Sequence, residues 1–329
     1  PAVLWTFSLD DDGEVVDAHV ERALVHSVAR LDYESVHASL AEGTVHPSIE
    51  LLPEVGRLRQ KSSLRRRAIN LRVPSVRVVG DGENYELVIE PRHPIMDYNS
   101  EISLLTGMVA GRMMVDAGVG FLRTLGPASA EGEAEFRREA RNLGFDVAGD
   151  IGEFLAGVDA DTPRGMAVMR EAQKLLRGAG YVDLSEDAPE VHAGIGGHYA
   201  HVTAPLRRLV DRFATEVCLA ICADEPVPEW VERDAARMLK TMGRSSQLAN
   251  TVEKACLHLT EATVLEPWVG HNFDGVVLKR GDDTARVFIV DPPVLAPSAG
   301  APVEGAETKF SLVRADPEAR EVGFAWPAD

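Results

Sequence analysis

Apolar and polar residues alternate at the start of the chain. Leu4-Trp5-Thr6-Phe7-Ser8-Leu9 has a period of two, the pattern of a half-buried strand. Asp10-Asp11-Asp12-Gly13 follows, and Asp-Gly is the strongest short hairpin signal, so 14–24 returns as the second strand. Residues 32–40 read as a short helix and 47–64 continue helically. Strands are expected over 73–79 and 85–90, around the turn Gly80-Asp81-Gly82-Glu83-Asn84. A long helix begins near Asp97, because Ile102, Leu105, Val109, Met113 and Ala117 recur at helical spacing. Residues 131–143 and 163–178 read as two more amphipathic helices. Gly178-Ala179-Gly180-Tyr181 stops the second. The glycine-rich stretch Ala193-Gly194-Ile195-Gly196-Gly197 precedes a helix over 205–222. Pro226 and Pro228 then break the chain, and 230–243 and 245–265 read as two helices.

The pattern changes at Pro267. Short alternating stretches over 268–278, 286–290, 308–315 and 321–326 predict a small β-barrel, most simply of OB type. Residues 292–305, rich in Pro, Ala and Gly, read as a loop inside it. The expected fold class is α+β. A domain of mixed strands and helices, helical in its second half, covers 1–266, and the OB-type barrel covers 267–329.

Composition narrows this picture. The 329 residues suit about two domains, and a 45% hydrophobic share excludes disorder. No apolar run approaches the roughly 18 residues of a membrane span. Pro1-Ala2-Val3-Leu4-Trp5 lacks the basic start of a signal peptide. Cys218, Cys222 and Cys256 lie in apolar helical stretches and read as reduced core residues of a cytosolic protein.

The net charge of −18 argues mildly against nucleic acid, but the positive charge is concentrated. Between 56 and 78 stand Arg57, Arg59, Lys61, Arg65, Arg66, Arg67, Arg72 and Arg77, with no acid among them. This is either a solvated helix face or a surface for phosphates. A second cluster lies in His198-Tyr199-Ala200-His201-Val202-Thr203-Ala204-Pro205-Leu206-Arg207-Arg208-Leu209-Val210-Asp211. Thr203 can cap the following helix, and Pro205 fits its first turn. Arg207 and Arg208 then sit near a helix N-terminus, where the dipole disfavours each cation by about 0.3–1 kcal/mol. A bound phosphate would explain them. A solvent-exposed arginine pair beside Asp211 is the plain alternative.

This second cluster resembles the signature of the ribonuclease II / ribonuclease R family, the RNB domain, whose typical form is Tyr-Ala-His-Phe-Thr-Ser-Pro-Ile-Arg-Arg-Tyr-x-Asp. The chain keeps Tyr199, Ala200, His201, Thr203, Pro205, Arg207, Arg208 and Asp211. It departs at Ala204, Leu206 and Leu209, and Thr215 and Glu216 stand where the family has a His-Arg pair. Leu31-Asp32-Tyr33-Glu34-Ser35-Val36 resembles the family's Leu-Thr-Tyr-Glu-x-Val block. Glu101 opens a helix like its Glu-x-Met-x-x-Ala-Asn, with Gly107 in place of Asn. Trp268-Val269-Gly270, Phe273-Asp274-Gly275-Val276-Val277 and Arg314-Ala315-Asp316 resemble the OB-type RNA-binding domain that follows the RNB domain.

The resemblance spans nearly the whole chain. It implies processive hydrolysis of single-stranded RNA from the 3′ end, with Mg²⁺ and release of nucleoside monophosphates. It implies that Arg207 neutralises the scissile phosphate, that Tyr33 stacks on the terminal nucleotide and that Glu101 holds it. His201, Thr203 and Arg208, with Arg65, Arg66 and Arg67, would contact the RNA. Without the resemblance, Tyr33 reads as a core tyrosine and Glu101 as a helix N-terminal acid.

One departure matters more. Mg²⁺ needs oxygen ligands, and the family's aspartate cluster lies near the start of the RNB domain, well upstream of its tyrosine block. Only 32 residues precede Tyr33. Asp10-Asp11-Asp12 reads as a solvated hairpin turn, so no metal ligand is assigned. The chain therefore resembles an RNB domain lacking its N-terminal part, weak or inactive alone. A catalytically inactive RNA-binding protein of the same fold is the second reading. Zinc is not favoured at His192, His198 and His201, since no Cys is close. A cytoplasmic monomer with an RNA partner and no membrane partner is expected.

Overall fold

Asp10 shows why the first strands turn where they do. In the computed structural model, which describes residues 1–73, 76–80, 85–90 and 92–328, its Oδ1 accepts the backbone N–H groups of Asp12 and Glu14 at 3.0 and 2.8 Å. β1 (Ala2–Leu9) thereby folds back antiparallel onto β2 (Val15–Ala23). The carboxylate of Asp32 accepts from Ser35 N–H and starts α1 (Tyr33–Glu42). A 3-10 turn at Pro47–Ile49 leads to α2 (Leu52–Arg65). β3 (Val76–Gly80) pairs with β4 (Tyr85–Ile89); residues 81–84 of the expected turn lie outside the described residues. α3 (Pro94–Ala117) buries Leu105, Val109, Ala110 and Met114 along the expected stripe. Glu101 lies well inside this helix rather than opening it.

Then come β5 (Phe121–Thr124), α4 (Ala130–Asn142), α5 (Ile151–Gly157), α6 (Pro163–Ala172) and β6 (Gly180–Asp183). The sequence pattern missed β5, β6 and α5, which are too short to display a period. α7 (Leu209–Ala223) starts four residues later than the expected helix, for a reason given below. α8 (Glu229–Leu265) is one helix, where two were expected. Gly243 costs a helix interior only about 1 kcal/mol and does not break it.

The chain ends in β7 (Asn272–Arg280), β8 (Thr284–Ile289), β9 (Val294–Ala299), β10 (Glu307–Asp316) and β11 (Glu321–Ala325). They close a barrel in the order β10-β11-β9-β8-β7, with β9 and β11 parallel. β9 corrects the reading of 292–305 as loop. Val294, Ala296 and Ser298 do alternate inward, but alanine, serine and proline hide the alternation.

Two compact units emerge, each from three stretches of chain. The first comprises Pro1–Ile69, Arg92–Pro127 and Gly178–Ser245. Its core joins Val20 of β2, Met114 of α3, Phe121 of β5, Phe213 and Val217 of α7 and Met238 of α8. Cys218 belongs to this core. Cys222 is half-buried and Cys256 is exposed, contrary to the expectation of three core cysteines.

The second unit comprises Asn70–Pro91, Ala128–Arg177 and Ser246–Asp329. Val277, Val287, Ile289, Phe310, Leu312 and Phe324 fill the barrel, and Leu87 of β4 and Leu265 of α8 pack against them. Polar contacts tie the helices to the barrel. Arg286 of β8 lies 3.8 Å from Glu171 of α6, and the Arg170 guanidinium lies 5.1 Å over the Phe288 ring. Glu139 and Glu171 are both buried and share Lys174, which reaches both Glu139 oxygens at 3.1 Å.

Burial, then the neighbouring Glu171, pushes the Glu139 carboxyl up to about 7, with Lys174 opposing. Burial likewise lifts Glu261 to about 7 against the pull of Arg170. A carboxyl raised from its ordinary 4.5 holds a proton in the folded chain that the unfolded chain has released. Its contribution to stability is full below about pH 4.5 and is lost as the pH rises through about 7. Glu139→Gln keeps the shape and removes this titration. Its melting temperature should fall less steeply than that of the native chain between about pH 5 and pH 8, as followed by circular dichroism.

Candidate nucleic-acid interface

The conspicuous motif folds as a loop clamped on both sides. Ala200 N–H donates to the Gly107 carbonyl of α3 at 2.9 Å, and Arg123 N–H of β5 donates to the Tyr199 carbonyl at 2.8 Å. The approach to α3 is close enough to require glycine. A Cβ on Gly107 would lie 2.2 Å from the Tyr199 ring and 2.6 Å from the Ala200 oxygen. The departure from the family pattern at 107 thus has a local steric reason in this chain.

After Thr203 the chain turns under the control of a buried acid. Asp211 is fully buried. Its Oδ1 accepts Ala204 N–H at 2.6 Å and Arg208 Nη2 at 2.8 Å, while Oδ2 accepts Arg208 Nε at 2.9 Å. Asp211, not Thr203, therefore holds the entry to α7. Thr203 is exposed, and Arg208 occupies the N-cap position ahead of Leu209. This corrects the reading of a helix starting at Pro205 with both arginines at its N-terminus. Arg208 is neutralised from within. Arg207 is exposed and has no acidic partner among the described residues.

His201 sits in an aromatic nest in the same unit. Its Nδ1 lies 2.7 Å from the Tyr181 hydroxyl. The rings of Tyr181 and Tyr199 meet it edge-on at 5.7 and 5.5 Å. Arg123 stands 4.7 Å over the Tyr181 ring. Burial, then the charges of Arg208, Arg123, His192 and Arg207, pushes His201 down to about 3, so its ring is neutral. Tyr181 and Arg123 are a cross-strand pair of β5 and β6, which no sequence period announced.

The basic run is largely consumed by the fold. Arg59 is only 2% exposed and donates to the Gly13 carbonyl at 2.6 Å and to Glu14 Oε2 at 2.8 Å. Arg65 donates to Glu14 Oε1 at 2.6 Å. Against the effect of burial, hydrogen bonds from Ser62, Arg65 and Arg59 pull the Glu14 carboxyl down to about 2. Arg66 bonds Ser62 Oγ and reaches the Ile195 carbonyl at 3.4 Å. The glycine-rich stretch makes that docking possible. Gly196 has φ 72°, and a Cβ there would lie 2.2 Å from the Arg66 oxygen. Arg67 alone of the three consecutive arginines is exposed without an acidic partner among the described residues.

Glu101 is also 2% exposed, and burial raises its pKa while Arg59 and Arg66 pull it down. Tyr33 is 44% exposed, and its hydroxyl accepts from Asn99 Nδ2 of α3 at 3.0 Å. The structure thus gathers His201, Thr203, Arg207 and Arg208 on one loop, sets Arg65 on Glu14, and brings Arg66 and Glu101 near Arg59. Among the described residues no hydrogen bond or ion pair links Tyr33 to Arg207. Sequence reasoning missed the work of Glu14, Tyr181 and Arg123. Asp211 it had noted only as a neighbour.

Among the described residues no group of three or more His, Cys, Asp or Glu could hold a metal ion. Asp10 uses its carboxylate on its own turn, and His198 Nδ1 and His201 Nδ1 are engaged by Glu190 and Tyr181. These residues do not fit a Mg²⁺ site, so no chemical step is derived through that ion.

The family model of the RNB domain matches residues 1–221, and that of the RNase II-type exonuclease C-terminal S1 domain matches 271–326. Ribonuclease R of Chlamydia pneumoniae is 24% identical over 223 residues, which cover 64% of this chain and 32% of that protein. Mycoplasma genitalium RNase R in complex with ribose methylated single-stranded RNA has the same fold, with a TM-score of 0.84 at 13% identity. The match covers 98% of this chain and 58% of that one. Yeast Ssd1, a pseudonuclease, aligns with a TM-score of 0.65 at 16% identity, over 94% of this chain and 41% of that one. The chain therefore spans about a third of its curated relative's length and somewhat over half of the solved RNase R.

Two substitutions test the clamp and the turn. Gly107→Ala should destabilise the chain by about 1–3 kcal/mol, since Tyr199 or α3 must shift. Asp211→Ala should cost about 3–5 kcal/mol, because it strands a largely buried guanidinium. Urea unfolding measures both, and losses below about 0.5 kcal/mol would contradict the geometry.

Proposed function

The chain belongs to the RNB-domain family, and on that premise we propose that it binds single-stranded RNA as a ribonuclease II-like protein. The reaction we assign to its type is 3′→5′ hydrolysis, releasing nucleoside monophosphates. The observation that carries the reading is Arg207, an exposed, uncompensated cation on a loop clamped by Gly107 and Asp211. A cation fixed in that way costs little reorganisation when it meets a phosphate.

In this reading Arg207 meets the scissile phosphate, and Thr203 and His201 offer hydrogen bonds beside it. Arg208 keeps the loop in shape. Tyr33 offers its exposed ring to the terminal base. Glu101, buried near the charges of Arg59 and Arg66, helps hold the 3′-terminal nucleotide from within the fold. Arg67 contributes an exposed charge of the basic run, with Arg65 and Arg66 beside it. Residues 1–266 form the RNB portion, and the barrel over 267–329 adds RNA-binding surface. The reading also places the chain in the cytoplasm as a monomer; among the described residues no helix is long and apolar enough to cross a membrane. A metal ion, when held, would supply activated water and leaving-group stabilisation. The described residues offer no ligand set for it, so cleavage by this chain alone is expected to be weak or absent. The second reading is an RNA-binding protein of the same fold without catalysis.

Single-stranded RNA labelled at the 3′ or the 5′ end, with Mg²⁺ or EDTA, separates the two. Mg²⁺-dependent mononucleotides from the native chain but not from Arg207→Ala support the exonuclease. Binding without cleavage supports the second reading. Either way affinity should drop steeply with salt, and Arg207→Ala should weaken it about tenfold. Salt-independent affinity would remove both readings.

A further inference from the structure

His201 and Tyr181 form a contact that the roles above do not use. The Tyr181 hydroxyl lies 2.7 Å from His201 Nδ1, and it is the one hydrogen-bond partner that the described residues show for either ring. Two tautomers could make this bond. If Nδ1 carries the proton, the half-buried phenol accepts and its own O–H is left without an acceptor, which is costly. If Nδ1 is bare, the phenol donates and both groups are satisfied. Arg123, 4.7 Å over the Tyr181 ring, draws electron density from the phenol and strengthens it as a donor. Burial opposes a charged imidazolium, and so do the charges of Arg208, Arg123, His192 and Arg207.

We propose that Tyr181 is a positioning residue that fixes His201 as a neutral imidazole with its proton on Nε2, ready to donate to a phosphate oxygen of a nucleic-acid strand beside Arg207. This rests on the RNA-binding reading for its ligand and on geometry alone for the tautomer. A neutral donor suits this place. It adds a hydrogen bond next to Arg207 without adding a like charge, and it stays a donor across the neutral pH range.

The test has two arms on the full chain. Long-range proton–nitrogen NMR, without RNA, reads the tautomer of His201, whose signals are assigned by their loss in His201→Ala. The native chain should show a neutral Nε2–H ring, and Tyr181→Phe should move both ring nitrogens toward the average of two tautomers. A native Nδ1–H ring, or an unchanged tautomer in Tyr181→Phe, overturns the proposal. In the second arm, a fluorescein-labelled single-stranded oligoribonucleotide reports affinity by anisotropy. Tyr181→Phe should weaken binding about threefold to tenfold. Tyr181→Phe combined with His201→Ala should bind no more weakly than His201→Ala alone. Additive losses would mean that Tyr181 acts on the fold and not through His201, and would overturn the proposal. If the native chain binds no RNA, the functional reading fails and the proposed ligand with it, while the nitrogen signals still decide whether Tyr181 sets the tautomer.

Discussion

Taking Asp211 out of water is unfavourable unless both of its oxygens find donors, and meeting that demand shapes the whole interface. The donors are the Ala204 N–H and the two-pronged guanidinium of Arg208. Satisfying them ties the Thr203 end of the loop to the first turn of α7. The three residues between those ties, Pro205, Leu206 and Arg207, have little freedom to spread, and Arg207 is left facing solvent. At the other end, the backbone bond between Ala200 and Gly107 holds the loop against α3. A cation between two such fixed points is preorganised, which matters more for binding a phosphate than the number of basic residues nearby.

The same economy of charge runs through the first unit. Glu14 draws Arg59 and Arg65 onto the hairpin turn, and the buried Glu101 feels the charges of Arg59 and Arg66. A window that contains no acid in sequence is thus met by acids from elsewhere in the fold. Three of its cations, Arg59, Arg65 and Arg66, pin α2 to the hairpin and to the glycine-rich stretch. This leaves a few exposed arginines in a chain of net charge −18. Attraction for a polyanion is then local, and the wider surface opposes indiscriminate contact.

Regular periods were legible in the sequence, and long-range satisfaction was not. The hairpin, the α3 stripe and the barrel carry a period over enough residues to be read directly. β5 and β6 span four residues each and exist because they pair with one another across a long separation. β9 alternates, but with small residues that a hydrophobic count passes over. At the motif the residue types were visible and their division of labour was not. Arg207 and Arg208 are neighbours of identical chemistry, and only the burial of Asp211 makes one an internal strut and the other an open charge. Thr203 looked like a cap because it precedes Pro205, yet Asp211 reaches back to make the bond that a cap would have made.

Each compact unit is assembled from three separated stretches, and this has a bearing on how the chain comes to exist at all. Val20 shares a core with Phe213 and Met238, so the hairpin closes on partners that stand about two hundred residues further along the chain. The helices over 130–176 meet the barrel strands in the same way, through Arg170 on Phe288 and Glu171 beside Arg286. Contacts this distant make closure slow and leave apolar surface uncovered while synthesis proceeds.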